Sequence, residues 1–323
     1  MHPENDPIFS SYILATVADW QELFWSKHVH PVYIPVALLS LVHAIRISHA
    51  TRSISGGLQG QLSLFQSMVL NMIVLFGSST LLAILLGLPV PFLIAPYAIA
   101  LYSTVHVIMT LSGLGDLLLR LHKSPALALP VDLLLAAIDA VCRSEGVVNV
   151  GLAQVQRHPN PVVAHSLLVQ LVAGALISGG LPLLIATFQL HSPHGHWQLQ
   201  TPAWLRRVDL LLFLPDLWGG VAVAFVHIVL RGGNIEARFP WLPPAAPVLA
   251  QWLSYPSHVN VHKVKNAQYL SLRETKAVGA AVLFVFLAVP VLYRHLSLRA
   301  IQPVTMTQTP TKKNSTRSKK KLP

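Results

Sequence analysis

Two clusters of small residues stand inside long apolar runs. Gly77, Ser78 and Ser79 lie within "SMVLNMIVLFGSSTLLAILLGLP", and Ser178, Gly179 and Gly180, followed by Pro182, lie within "LISGGLPLLI". Glycine and proline are poorly tolerated in helix interiors. If the backbone unwinds at these points, the freed carbonyls and nearby serine hydroxyls can replace part of an ion's hydration shell. Inside hydrocarbon such unwinding leaves peptide groups unpaired, which is bearable only against water or protein. The sequence therefore predicts a helix break, and a wet cavity, at each cluster. The same residues also have a structural reading, as small-residue contacts that let two helices approach closely.

Acids inside apolar runs are the second chemical signal. Charged side chains at membrane depth are costly and usually face a bundle interior or water. Asp209 and Asp216, seven apart and so on one helical face, are candidates for lining a polar cavity. Asp139 and Arg143, four apart, suit an ion pair along one face. Asp116 and Asp132 suit interfacial positions. His191, His194 and His196 in "HSPHGHW" have no thiol or carboxylate beside them in sequence and read as a polar connecting loop, so no metal site is assigned. His106 and His227 are too isolated in sequence to propose a catalytic cluster. A Walker loop, a dinucleotide fingerprint, an HExxH pair and a Gly-x-Ser-x-Gly elbow are all lacking, and an enzyme is not expected.

The elements that must position these residues are membrane helices. The chain of 323 residues is 53% hydrophobic and 11% charged, against about 25% charged in a soluble domain. Apolar runs fall at about 31–50, 63–88, 92–115, 127–142, 161–190, 207–230 and 275–293. The sequence thus predicts an all-α polytopic membrane protein with seven transmembrane helices. Each small-residue cluster falls in the second helix of a group of three. An odd number of helices per group inverts the second group, so the plan is two inverted three-helix repeats, about 31–122 and 127–231, plus a seventh helix at 275–296. A loop over 232–274 contains "FPWLPPAAPVLAQWL", which reads as a possible re-entrant segment.

The ends carry their own signals. Residues 1–30 begin with acids rather than a basic signal-peptide region, and Ile8 to Trp25 reads as an amphipathic interfacial helix. The tail, 297–323, is expected to be disordered, basic and cytosolic. Much of the net charge of +11 lies there and points to an anionic leaflet rather than to nucleic acid. Lys320 and Lys321 stand four and three places from the C-terminus, the di-lysine pattern read at the cytosolic face of the endoplasmic reticulum. With seven spans the N-terminus is then lumenal. Cys142 is the single cysteine and excludes an intramolecular disulfide.

The order and spacing of several segments resemble the trimeric intracellular cation (TRIC) channel family, of which the chain looks like a divergent member. They are "FGSSTLLAILLGLP", "LALPVDLLLAAIDAVCR", "GALISGG" and the basic tail. The resemblance implies a homotrimeric, monovalent-cation (potassium) channel of the endoplasmic reticulum, each protomer with its own pore, supplying counter-ion flow during calcium release. It implies membrane-lipid contact and a bound phosphoinositide, with Arg143 at the position of a lipid-binding arginine; no other cofactor is expected. The family's Lys-Glu-Val falls on Asp139, Ala140 and Val141, and its lysine before the second glycine cluster falls near Ile177. Without those lysines the alternative is a non-conducting structural or lipid-binding protein with the TRIC-like fold.

Overall fold

The computed structural model describes residues 9–30, 32, 34–124, 126–206, 214–231 and 270–301. The elements in order are α1 (Phe9–Ser26), β1 (His28–His30), β2 (Ile34–Ala37), α2 (Leu38–Ile54), α3 (Leu64–Leu86), α4 (Pro91–Ile94), α5 (Pro96–Leu111), α6 (Leu114–Lys123), α7 (Ala128–Gly146), α8 (Ala153–Gln156), α9 (Pro161–Ala164), α10 (Leu167–Phe188), α11 (Ala203–Arg206), α12 (Pro215–Leu230) and α13 (Leu272–Ile301). A π-helical turn, Val147–Leu152, joins α7 to α8.

The chain is mostly helical. Each of the seven apolar runs holds a helix, but by length and composition three of the described helices are sufficient alone to cross a membrane: Leu64–Leu86, Leu167–Phe188 and Leu272–Ser297. A fourth follows if α5 and α6, bent by 73° at their junction, form one span. The bend sits at Gly113, whose φ of 75° is a left-handed conformation that glycine adopts freely.

Three sequence expectations are corrected. The short antiparallel pair β1–β2, with His28 opposite Ala37 and His30 opposite Ile34, means the fold is not purely helical. The last helix runs to Ile301, beyond the expected limit at 296. Most importantly, neither small-residue cluster breaks its helix. α3 is continuous through Gly77, Ser78 and Ser79, and α10 through Ser178, Gly179, Gly180 and Pro182. In hydrocarbon no water competes for the helix's own hydrogen bonds, so glycine's conformational freedom is not spent on unwinding.

Local signals set the ends of these two spans. Ser63 caps α3 with a reciprocal box: its Oγ accepts from the Gln66 amide at 3.2 Å, and Gln66 Oε1 accepts from the Ser63 amide at 3.3 Å. Gly87, at φ 64°, ends α3, and the Leu88 amide reaches back to Ala83 O. Ser166 caps α10 by accepting from the Val169 amide.

The glycines serve packing instead. A methyl on Gly180 would stand 3.0 Å from Ser78 Oγ, and one on Gly77 would stand 2.7 Å from Leu184 Cδ1, so α3 and α10 cross at their small residues. Gly179 faces another way, against the backbone of Leu217 in the first turn of α12. Gly174 and Gly220 bring α10 and α12 into backbone contact. Adjacent glycines are needed because two helices approach α10 from neighbouring faces. The main core lies there, where Ala140, Val147, Val223, Ala224 and Leu283 are buried together from α7, the π turn, α12 and α13.

Candidate functional site

Gly179 against Leu217 fixes the level of α12. Its helix begins at Pro215, after an extended Leu214, about halfway along α10. Proline suits this first position, where its missing N–H removes nothing from the helix. The described helix of the sixth apolar run thus starts beside the middle of α10, while α3 and α10 are continuous. Asp216 consequently sits in the first turn of α12, level with the middle of α10. Asp209 lies outside the described residues.

Pro182 has its effect one turn away. It has no N–H, so the carbonyl of Ser178 loses its partner within α10. Arg143 of α7 supplies the donor, with Nη1 3.0 Å from Ser178 O. The same nitrogen donates to Asp216 Oδ1, while Nη2 lies 3.3 Å from Asp139 Oδ2. Asp139 also accepts from Arg46 Nη2 at 2.7 Å. Four ionisable side chains and one orphaned carbonyl thus meet where α2, α7, α10 and α12 converge. Ser178 Oγ is buried without a partner among the described residues.

The sequence spacing showed only the Asp139–Arg143 pair. Arg46 lies 93 residues from Asp139, and Asp216 lies 73 from Arg143; no local pattern links them. The resemblance assigned Arg143 to a lipid headgroup, but here its guanidinium turns inward and is committed to two carboxylates and a carbonyl. Ile177, at the expected lysine position, packs against Gly146 and Gly151. Lys320 and Lys321, "FPWLPPAAPVLAQWL" and most of the 232–274 loop lie outside the described residues.

Two further charged tiers flank this centre on α7. Asp132 is buried against its neighbours. One oxygen faces His122 Nδ1 at 3.0 Å and the other His295 Nε2 at 2.8 Å, tying α6 and α13 to α7. Toward the other end, Glu145 pairs with Lys276 Nζ at 2.9 Å and accepts from Gln21 of α1 and Asn149. Asp116, half exposed, pairs with Arg52. His106, isolated in sequence, is buried between Ser48 Oγ at 2.9 Å and Ser67 Oγ at 2.7 Å. Among the described residues no three His, Cys, Asp or Glu converge on a metal position.

No family model, curated protein or solved structure matches the chain. The functional reading therefore stands on the sequence and on this geometry.

The bond from Arg143 to Ser178 O gives a direct prediction. Pro182→Ala restores an N–H to that carbonyl. In a double-mutant cycle, the stability lost on Arg143→Met should then fall by about 1.5–3 kcal/mol, the worth of one charge-assisted hydrogen bond. Denaturant unfolding of all four variants in detergent measures it. A coupling energy of zero would mean that the carbonyl does not depend on Arg143.

Proposed function

We propose that this chain is a monovalent-cation, chiefly potassium, channel of the endoplasmic reticulum membrane with a TRIC-like plan. On this reading it has seven spans in two inverted repeats plus a seventh helix, a cytosolic C-terminus and a lumenal N-terminus. It works as a homotrimer among membrane lipids and carries counter-ions during calcium release.

The observation that carries the reading is the charged cluster of Arg46, Asp139, Arg143 and Asp216 at the point where α12 begins mid-bundle. Discontinuous helices and intramembrane ion pairs mark ion paths in transport folds. The path accordingly moves from the α3–α10 crossing to the seam between α2, α7, α10 and α12. This conformation is a closed one, because each acid of the cluster holds an arginine. The resemblance described above supports the choice of cation and compartment.

One observation favours a second reading. The α3–α10 crossing is shut, with Gly180 against Ser78 and Gly77 against Leu184. A non-conducting structural or lipid-binding protein with this fold would need no passage at all.

Reconstitution of the purified chain in planar bilayers separates the two. Potassium current with a cation-selective reversal potential is expected, and Asp216→Asn should reduce it at least about tenfold, the equivalent of 1.4 kcal/mol at the barrier. Silence at every voltage and calcium concentration would reject the channel and leave the second reading.

A further inference from the structure

The guanidinium of Arg143 is itself a monovalent cation, and its surroundings have the composition of a cation site. Three oxygens hold it: one from the Asp216 carboxylate, one from the Asp139 carboxylate and the Ser178 carbonyl left free by Pro182. Ser178 Oγ is buried and has no partner among the described residues, and Ser178 Cβ faces Gly220, one turn beyond Asp216 on α12. A carbonyl deprived of its own helix's amide donor remains available to any cation that enters. We propose that Asp216, Asp139 and the Ser178 carbonyl form a binding site for a small monovalent cation, occupied in this conformation by Arg143 as a tethered substitute. As a step in permeation the proposal rests on the channel reading above; as a binding site it stands on the geometry alone.

Charge sets the ligand class. Arg46, Arg143, Asp139 and Asp216 sum to zero. With Arg143 withdrawn, one negative charge remains in a partly buried cluster. A single monovalent cation restores neutrality, whereas a divalent one overshoots it. Arg46 stays on Asp139, so the vacated place is centred on Asp216 and Ser178 O. Its outline is that of a planar guanidinium, which admits guanidinium and potassium and excludes a bulky cation such as N-methylglucamine.

The test uses the full chain. Arg143→Ala, Arg143→Ala/Asp216→Asn and the wild type are purified in detergent and melted with guanidinium, potassium or N-methylglucamine as the chloride, at equal, millimolar, non-denaturing concentration. Guanidinium and potassium should raise the Arg143→Ala midpoint saturably, by about 5 °C at a hundredfold excess over Kd. N-methylglucamine should not, and neither the wild type nor the double variant should respond.

If Arg143→Ala does not survive purification, membranes holding it are extracted in each salt. Monodisperse protein should then be recovered several-fold better in guanidinium than in N-methylglucamine. A midpoint or recovery that ignores the cation, or an equal response in the double variant, overturns the site. Because no current is measured, a silent channel with a normal cation response rejects permeation only, and current without a cation response rejects this site only.

Discussion

Asp139→Asn is expected to lower stability by about 3–5 kcal/mol, enough to leave little folded protein in detergent. Asp139 is the one acid shared by both central arginines, with Arg46 Nη2 at 2.7 Å and Arg143 Nη2 at 3.3 Å from the same oxygen. Its neutralisation leaves Arg143 with Asp216 and strips Arg46 of its carboxylate partner. A charge stripped of its partner in such a place retains its desolvation penalty and loses the attraction that offset it. Removing the pair together is different. Arg46→Met/Asp139→Leu keeps Arg143 on Asp216 and leaves the cluster neutral, so most of the lost stability should return. Thermal unfolding of both variants decides it. A single variant that melts with the wild type would mean that the cluster is open to water and screened.

That contrast separates what local sequence carries from what it does not. The helical segments were legible because apolar length alone specifies them, and Asp139–Arg143 was legible because four residues make one helical turn. The reading failed at the glycines. Gly77 and Gly179–Gly180 mark helix contacts, and a small residue that permits close approach is the same letter as one that permits unwinding. Only the neighbouring helix decides between the two. Asp216 was identified as a cavity acid without its partner, since Arg143 reaches it from another helix.

Pro182 shows the other half of the lesson. Its presence in a span was read as a break, on the physics of a missing N–H. The missing donor has the consequence expected, an orphaned carbonyl at Ser178, but a side chain from α7 meets it and the helix continues. A proline in a membrane helix therefore states that one carbonyl needs a partner, without saying whether that partner is water, an ion or an arginine. Glu145 and Lys276 were similarly unreadable: 131 residues separate them in sequence, yet their atoms lie 2.9 Å apart.

The close approach of α10 and α12 underlies the central cluster, and Gly220→Ala should remove it at a cost of about 3–5 kcal/mol, at the severe end for overpacking. A methyl there would run into the carbonyl oxygen of Gly174 and stand 2.7 Å from Ser178 Cβ. The first obstacle is backbone in a continuous helix, so relief requires the two helices to separate, which pulls Asp216 away from Arg143. Two other glycines calibrate the effect. At Gly77 the obstacle is Leu184 Cδ1, the end of a flexible side chain that can swing aside, so alanine should cost about 1 kcal/mol. At Gly146 the nearest atom is Ile177 Cγ2 at 3.3 Å, and alanine's better helix propensity, about 0.5–1 kcal/mol, offsets a small adjustment. The expected order of melting midpoints is Gly146→Ala near wild type, Gly77→Ala lower and Gly220→Ala lowest. The guanidinium-dependent midpoint shift of Arg143→Ala should vanish when Gly220→Ala is added, because the carboxylate at the centre of that site moves with α12. Equal midpoints for all three glycine variants would mean that α10 and α12 are not in backbone contact, and the mid-bundle start of α12 would lose its physical basis.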